Sequence, residues 1–310
     1  MLVTSPGQAS VNDVLLANAV RTDALLADVF LGAFAFAIGA CVGSFLNVCI
    51  GRWPHDQSVV SPRSRCPKCG LQIAWYDNIP MVSWMVLRAR CRGCGLPISA
   101  QYPLVELLIG LLWMAVVLHF GPTLVALRVA VFATIMFGIA VTDAKHYVIP
   151  DGFTVSGLIF VLATAMVAAF RGEPDPFAAP YDALIGACAG AGAVAIVGWL
   201  GEVVLKREAM GFGDVTLMAV VGAAVGPSRV LLVLFLGAAL GAVTFLGVVY
   251  PVVKLRGATR TAQIDLNLGA PKAELPEVPF GVFLAPAAVL VLVWGDVIIN
   301  WYLTLVMATS

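Results

Sequence analysis

The sequence predicts an all-α polytopic membrane protein, with about eight transmembrane helices and a small polar insert between the first two. Three observations predict it. The chain of 310 residues is 61% hydrophobic and 12% charged, with a mean hydropathy of +0.96, whereas a soluble domain is nearer half apolar and a quarter charged. It contains repeated apolar stretches near the ~20 residues a helix needs to cross a bilayer. Its Lys and Arg residues gather in alternate loops. The net charge of +0 excludes the global basic field of a nucleic-acid binder.

The candidate spans are 29–50, 102–120, 123–142, 152–170, 181–204, 214–227, 229–250 and 282–305. The stretch 214–227 is short and glycine-rich, and only Gly121-Pro122 separates 123–142 from its predecessor, so seven spans is the competing count. Residues 1–28 read as an amphipathic or loosely ordered leader. Residues 29–50 form the first transmembrane helix, 51–101 the polar insert and 102–310 the main membrane domain. The first span is preceded by Asp23 and Asp28 rather than a basic segment, which is unlike a cleaved signal peptide.

With eight spans, the loops 51–101, 143–151, 205–213 and 251–281 share one side and hold 14 of the 18 Lys and Arg residues. The exceptions are Arg21, Arg128, Arg171 and Arg229. The positive-inside rule puts the basic loops in the cytoplasm and both termini outside.

The insert carries Cys66-Pro-Lys-Cys69 and Cys91-Arg-Gly-Cys94, with 21 residues between the pairs. Doubled C-x-x-C pairs, each followed by glycine (Gly70, Gly95), have the form of zinc knuckles, and four thiolates suit a closed tetrahedral structural zinc site. The glycines are expected to relieve crowding around the metal. A region this small builds little core, and a metal is a usual remedy. Disulfides are disfavoured on a cytoplasmic side. Cys41, Cys49 and Cys188 lie in apolar spans and read as packing residues. Trp75 and Tyr76 are read as packing on the zinc lobe, resting at the membrane interface or touching a substrate.

Two carboxylates stand at the basic side. Gly211-Phe-Gly-Asp214 opens an apolar stretch, and an acid at the edge of lipid is read as functional by default, although Asp also suits a helix N-cap. Gly211 and Gly213 leave room for a close backbone approach. Asp143 ends a span, where its charge opposes the helix dipole, so a cap does not explain it. Pro150 stops helical continuation, and Asp151 is expected to N-cap the next helix. His146 reads as a solvated loop residue. Two adjacent aspartates cannot both ionise easily, and the pair can take a proton from water and give one to a peptide carbonyl. No Gly-x-Ser-x-Gly elbow, His-Glu-x-x-His, phosphate loop or Gly-x-Gly-x-x-Gly occurs to offer another chemistry.

Taken in order, these motifs resemble the type IV prepilin peptidase family, aspartic proteases of the bacterial inner membrane with a Gly-x-Gly-Asp motif. The resemblance runs from about residue 32, through Gly43-Ser-Phe-Leu-Asn-Val48, Arg65-Cys-Pro-Lys-Cys-Gly70 and Trp75-Tyr-Asp-Asn-Ile-Pro80, then Arg90-Cys-Arg-Gly-Cys-Gly95 and Tyr102-Pro-Leu-Val-Glu106. It continues through Ile149-Pro150-Asp151 and Gly211-Phe-Gly-Asp214 to Val278-Pro-Phe-Gly281. It implies Asp143 and Asp214 as the catalytic pair, supported by Gly211, Gly213, Pro150 and Asp151, and structural zinc on Cys66, Cys69, Cys91 and Cys94. It implies an inner-membrane enzyme, its site facing the cytoplasm, that removes the basic leader of type IV prepilins or type II secretion pseudopilins. It further implies methylation of the new N-terminus by S-adenosylmethionine, for which the sequence assigns no donor-binding residues. Glu106 is a candidate for contacting an amine, set against a plain interface role at a helix start. The alternatives are a peptidase without methyltransferase activity, a transporter or proton channel using the intramembrane acids, and a membrane-bound zinc scaffold.

Overall fold

A computed structural model describes residues 11–172, 175–206, 210–251 and 279–309. Among them the architecture is helical, and the only β pairing is two isolated bridges. The basic residues Arg207, Lys254, Arg256, Arg260 and Lys272, together with Val278 and residues 1–10, lie outside the described residues.

Among the described residues seven helices are long and apolar enough to cross a membrane, and the chain is a multi-pass membrane protein. They are α1 (Val11–Arg52), α3 (Gln101–Phe120), α4 (Leu124–His146), α5 (Asp151–Arg171), α6 (Pro180–Leu205), α8 (Pro227–Thr244) and α9 (Gly281–Thr309). Helix α2 (Val82–Val86) is a short turn of the insert. The eighth expected span is α7 (Phe212–Val225), with 14 residues. That length is about 21 Å, short of the ~30 Å apolar layer. Helix α1 starts at Val11, so residues 11–28, read as a leader, run into the first span as one helix.

The chain divides into two compact units. The first comprises Met1–Asn47 and Arg63–Ala130, and the second Val48–Pro62 and Val131–Ser310. In the first unit α1 and α3 meet through small residues. A Cβ on Gly43 would lie 2.9 Å from the Glu106 Cα, so only glycine lets the two backbones come this close.

In the second unit α7 packs against α5, α6, α8 and α9, and residues 217–218 and 220–225 are buried. Its tightest neighbour is α6. A Cβ on Gly186 would collide with the Gly222 carbonyl oxygen, and one on Gly222 with that of Gly186. Apolar helices in lipid gain no hydrophobic drive from meeting each other, so close packing of small residues supplies the attraction. The far end of α7 is tied off by polar groups. The Ala178 N–H donates to the Ala224 carbonyl at 2.8 Å, and Arg229 Nε donates to the Val225 carbonyl at 2.9 Å. Helix C-termini leave carbonyls unpaired, and these donors answer that need. At the other end Trp53 sits against Gly152 and meets Phe153 edge-on, with ring centroids 4.4 Å apart.

Overpacking at such a contact costs about 1–3 kcal/mol. Gly186→Val and Gly222→Val are therefore expected to lower the thermal midpoint of the detergent-purified protein. Gly192→Ala, where an added Cβ meets open space, leaves the midpoint unchanged.

Candidate active site and metal centre

The four predicted cysteines converge within the first unit. The Sγ atoms of Cys66, Cys69, Cys91 and Cys94 all lie within 4.8 Å of one another, with Cys66 and Cys94 at 3.7 Å and Cys69 and Cys91 at 4.0 Å. A tetrahedron of sulfurs about 2.3 Å from zinc has edges of about 3.8 Å, so the donor set fits a metal of that kind. The two halves are built alike. Gly70 and Gly95 each donate a backbone N–H to the carbonyl of the first cysteine of their pair, at 3.0 Å, and each has φ +69°. Nothing lies within 4 Å of a Cβ placed on either. The glycines are therefore needed for a left-handed backbone, not for the expected relief of crowding. The backbone N–H groups of Cys69 and Lys68 point at the Cys66 sulfur and lower its thiol pKa to about 6, which favours the thiolate that binds metal.

The turn at residues 75–78 joins this lobe through a charge pair. Arg92 donates Nε to Asp77 Oδ2 at 2.8 Å and a second nitrogen to Oδ1 at 2.5 Å, with its guanidinium over the Tyr76 ring. The Arg92 bonds hold the Asp77 carboxyl below its ordinary pKa. Trp75 is 74% exposed, so of the three readings offered for it, packing on the zinc lobe does not hold.

In the second unit Asp143 and Asp214 come together where three helix ends meet. Asp143 lies in the last turn of α4 and is buried. Its Oδ2 accepts the Val282 N–H at 3.2 Å, and the Gly281 N–H also bonds to the carboxylate. These are the opening amides of α9, a position where the helix dipole favours negative charge. Asp143 does have a capping role after all, on a helix that begins 138 residues later in the chain. Asp214 lies in the first turn of α7, third after the capping Gly211, and its carboxylate bonds back to the Gly211 N–H. It closes the helix start from inside the first turn, as acidic residues at that position do, and is not the N-cap residue. The two carboxylates are near enough for the charge of Asp143 to act on Asp214.

Ile149 spaces the three ends. A Cβ on Gly213 would lie 3.0 Å from the Ile149 Cβ, and a Cβ on Gly281 3.0 Å from the Ile149 Cδ1. Gly213 thus sits in tight contact with Ile149, while Gly211 is open apart from Asp214 Oδ2, 3.9 Å from its would-be Cβ. Pro150, extended at ψ 138°, is the residue that precedes α5. Asp151 is the first residue within that helix, exposed, with no side-chain cap bond, so the expected N-cap is not made. His146 ends α4, exposed, with its ring 5.4 Å from that of His55. Sequence reasoning missed Gly281 and Val282. The signal was the Val278-Pro-Phe-Gly281 motif, which had been recognised but given no task.

Residues 37–120 match the model of the bacterial peptidase A24 N-terminal domain, and residues 130–246 that of the type IV leader peptidase family. A prepilin leader peptidase/N-methyltransferase of Aeromonas hydrophila is 34% identical over 300 residues, covering 88% of this chain and 93% of that protein. The chain belongs to the type IV leader peptidase family. A family protein of the same name from Pseudomonas aeruginosa is 33% identical over 289 residues, covering 86% of this chain and 91% of its own. One from Myxococcus xanthus is 48% identical over 190 residues, or 61% of this chain; the match spans 55% of that relative's length. No solved structure matches this family member.

The metal centre makes a direct prediction. The parent protein is expected to purify with a bound metal and the Cys66→Ser/Cys91→Ser variant without one, read by elemental analysis. Gly95→Ala, forced into φ +69°, is expected to lose about 1–2 kcal/mol, read as release of metal at lower chelator concentration.

Proposed function

We propose that this protein cleaves the leader peptide of type IV prepilins or type II secretion pseudopilins, using Asp143 and Asp214 as a catalytic pair, and that it N-methylates the new N-terminus. The observation that carries the reading is the meeting of these two carboxylates where the ends of α4, α7 and α9 converge. The names of the relatives support both activities.

The chemistry follows from the pair. One aspartate takes a proton from a water molecule, whose oxygen attacks the scissile carbonyl carbon, while the other gives its proton to the carbonyl oxygen. Collapse of the tetrahedral centre breaks the C–N bond and a proton passes to the nitrogen. The leader leaves with a carboxyl end and the mature chain with an amine. The two acids titrate together. Asp143 is oriented for this by the amides of Gly281 and Val282.

The loops 51–101, 143–151 and 205–213 share one side whether or not α7 crosses, and their ten Lys and Arg residues support an inner-membrane enzyme with the pair facing the cytoplasm. A basic leader would lie among cytoplasmic groups while the following apolar helix lies in lipid, which brings the scissile bond to the membrane boundary. Zinc on Cys66, Cys69, Cys91 and Cys94 would staple the insert, as its sulfur spacing supports. In this proposal the insert at 51–101 is metal-stapled and the peptidase domain is 102–310, of which residues 102–130 cluster with the first unit. S-adenosylmethionine supplies an electrophilic methyl group when bound. Among the described residues there is no strand–loop–helix cradle of the soluble methyltransferase kind.

Asp143→Asn and Asp214→Asn are each expected to lower leader cleavage by about 10²-fold or more, measured on purified prepilin with the purified enzyme. Cleavage surviving in both would remove the pair from the mechanism. In Gly281→Ala the new Cβ would lie 2.8 Å from Asp143 Oδ2. Misplacing the carboxylate is expected to lower kcat by about 10²-fold with KM little changed, read by steady-state kinetics.

A further inference from the structure

Within the first unit lies a third buried carboxylate that the cleavage chemistry does not use. Glu106 is 8% exposed, on the second turn of α3. Its Oε2 accepts the Met81 N–H at 2.7 Å, and the Ser44 hydroxyl also donates to it. Asn47 lies three residues beyond Ser44 on the same face of α1 and is 5% exposed. Its Nδ2 donates to the Tyr102 carbonyl at 3.1 Å, one turn before Glu106 on α3. With the nitrogen held there, the amide oxygen must face the other way. That Oδ1 is buried and finds no donor among the described residues. A buried acceptor left in this state is costly.

The third member of the cluster is strained. Met81, just after Pro80, has φ 57° and ψ −44°, a conformation that side-chain-bearing residues avoid. Strain of this kind persists where the surroundings hold it, and it gathers at functional sites. Here the hold is the bond from the Met81 N–H to Glu106.

The chemistry of the cluster names what would complete it. It has acceptors to spare: a carboxylate accepts up to about four hydrogen bonds, and the Asn47 oxygen is open. Its donors are one hydroxyl and one amide held in strain. The missing group carries positive charge and several N–H donors in a compact head. A primary ammonium, with three donors about one atom, meets that description better than a flat guanidinium with five.

We propose that Glu106 and Asn47 bind the N-terminal ammonium that cleavage creates on the processed substrate. The proposal rests on the methyltransferase reading above and gives that activity an acceptor site. The ammonium takes the place of the strained Met81 amide at Glu106 and donates to Asn47 Oδ1. An amine must shed a proton before its nitrogen can accept a methyl group. The Glu106 carboxylate is the base in reach, so one proton passes from the ammonium to a Glu106 oxygen and leaves a neutral amine.

The test uses the full-length protein in nanodiscs and two synthetic peptides with the mature N-terminal sequence of a processed pilin, one with a free amine and one N-acetylated. Binding is measured for the wild type, Glu106→Gln and Asn47→Leu. Glu106→Gln keeps an oxygen for the Met81 and Ser44 donors while removing the charge. Thermal midpoints and bound metal report folding. The free-amine peptide is expected to bind about 10-fold more weakly to each variant, the loss of one charge-assisted bond. The N-acetylated peptide is expected to bind all three proteins alike. In the coupled assay the ratio of methyl transfer to cleavage falls with the lost affinity. Equal binding of the free-amine peptide to all three proteins would overturn the site and leave its acceptors to a buried water. Equal losses for both peptides would overturn it as well, by showing a structural role. A wild type that cleaves and discriminates the free amine but transfers no methyl group would defeat the methyltransferase reading while supporting the ammonium site.

Discussion

A carboxylate enclosed by apolar helices is tolerable only where donors meet it, and the opening amides of α9 meet Asp143. That bond serves both partners. The first N–H groups of any helix lack acceptors within it, and the last turn of α4 is a poor place for negative charge on its own. Joining the two ends settles both problems and draws together segments that are far apart in the chain. Ile149 then sets the distance at which the start of α7, with Asp214, can join them. The meeting of the two acids is a consequence of helix-end accounting as much as of chemistry.

The same accounting runs through the rest of the molecule. At the opposite end of α7 the last carbonyls are taken by Ala178 and Arg229, and Arg229 also donates to the Pro176 carbonyl at 2.7 Å. Along its length α7 is held by backbone proximity to α6, which only glycine at 186 and 222 allows. The insert buries few of its apolar side chains, and there four sulfurs come together at a spacing that suits a metal. Three kinds of contact thus serve three places: polar ties at helix ends, small-residue packing between apolar faces, and a cluster of four cysteines in the insert.

Much of this was legible in the sequence. Apolar length located the helices, because a bilayer imposes that length, and the doubled C-x-x-C pairs located the four-cysteine cluster, because that spacing suits one tetrahedral ion. The acids at 143 and 214 stood out because lipid makes charge expensive. What was not legible depended on contacts between remote segments. Nothing local to Asp143 announces that Gly281 and Val282 will be its donors. For the same reason the N-cap alternative for Asp214 and the cap expected of Asp151 rested on their positions alone. One proved to bond back from within the first turn and the other to make no cap bond. Gly213 was read as room for a close backbone approach, and it is Ile149 that comes close to it. The shortness of α7 was visible as a brief glycine-rich run, but its enclosure by four neighbours was not.

The central claim is that two coupled acids at the meeting of α4, α7 and α9 carry out the hydrolysis. The pH dependence of leader cleavage tests it most directly, measured as kcat/KM by the wild-type enzyme in nanodiscs across the range in which the protein stays folded. Two acids that must differ in protonation give a bell-shaped profile, with activity lost at both low and high pH. A profile that keeps full activity through the acid limb, or through the alkaline limb, would contradict the account.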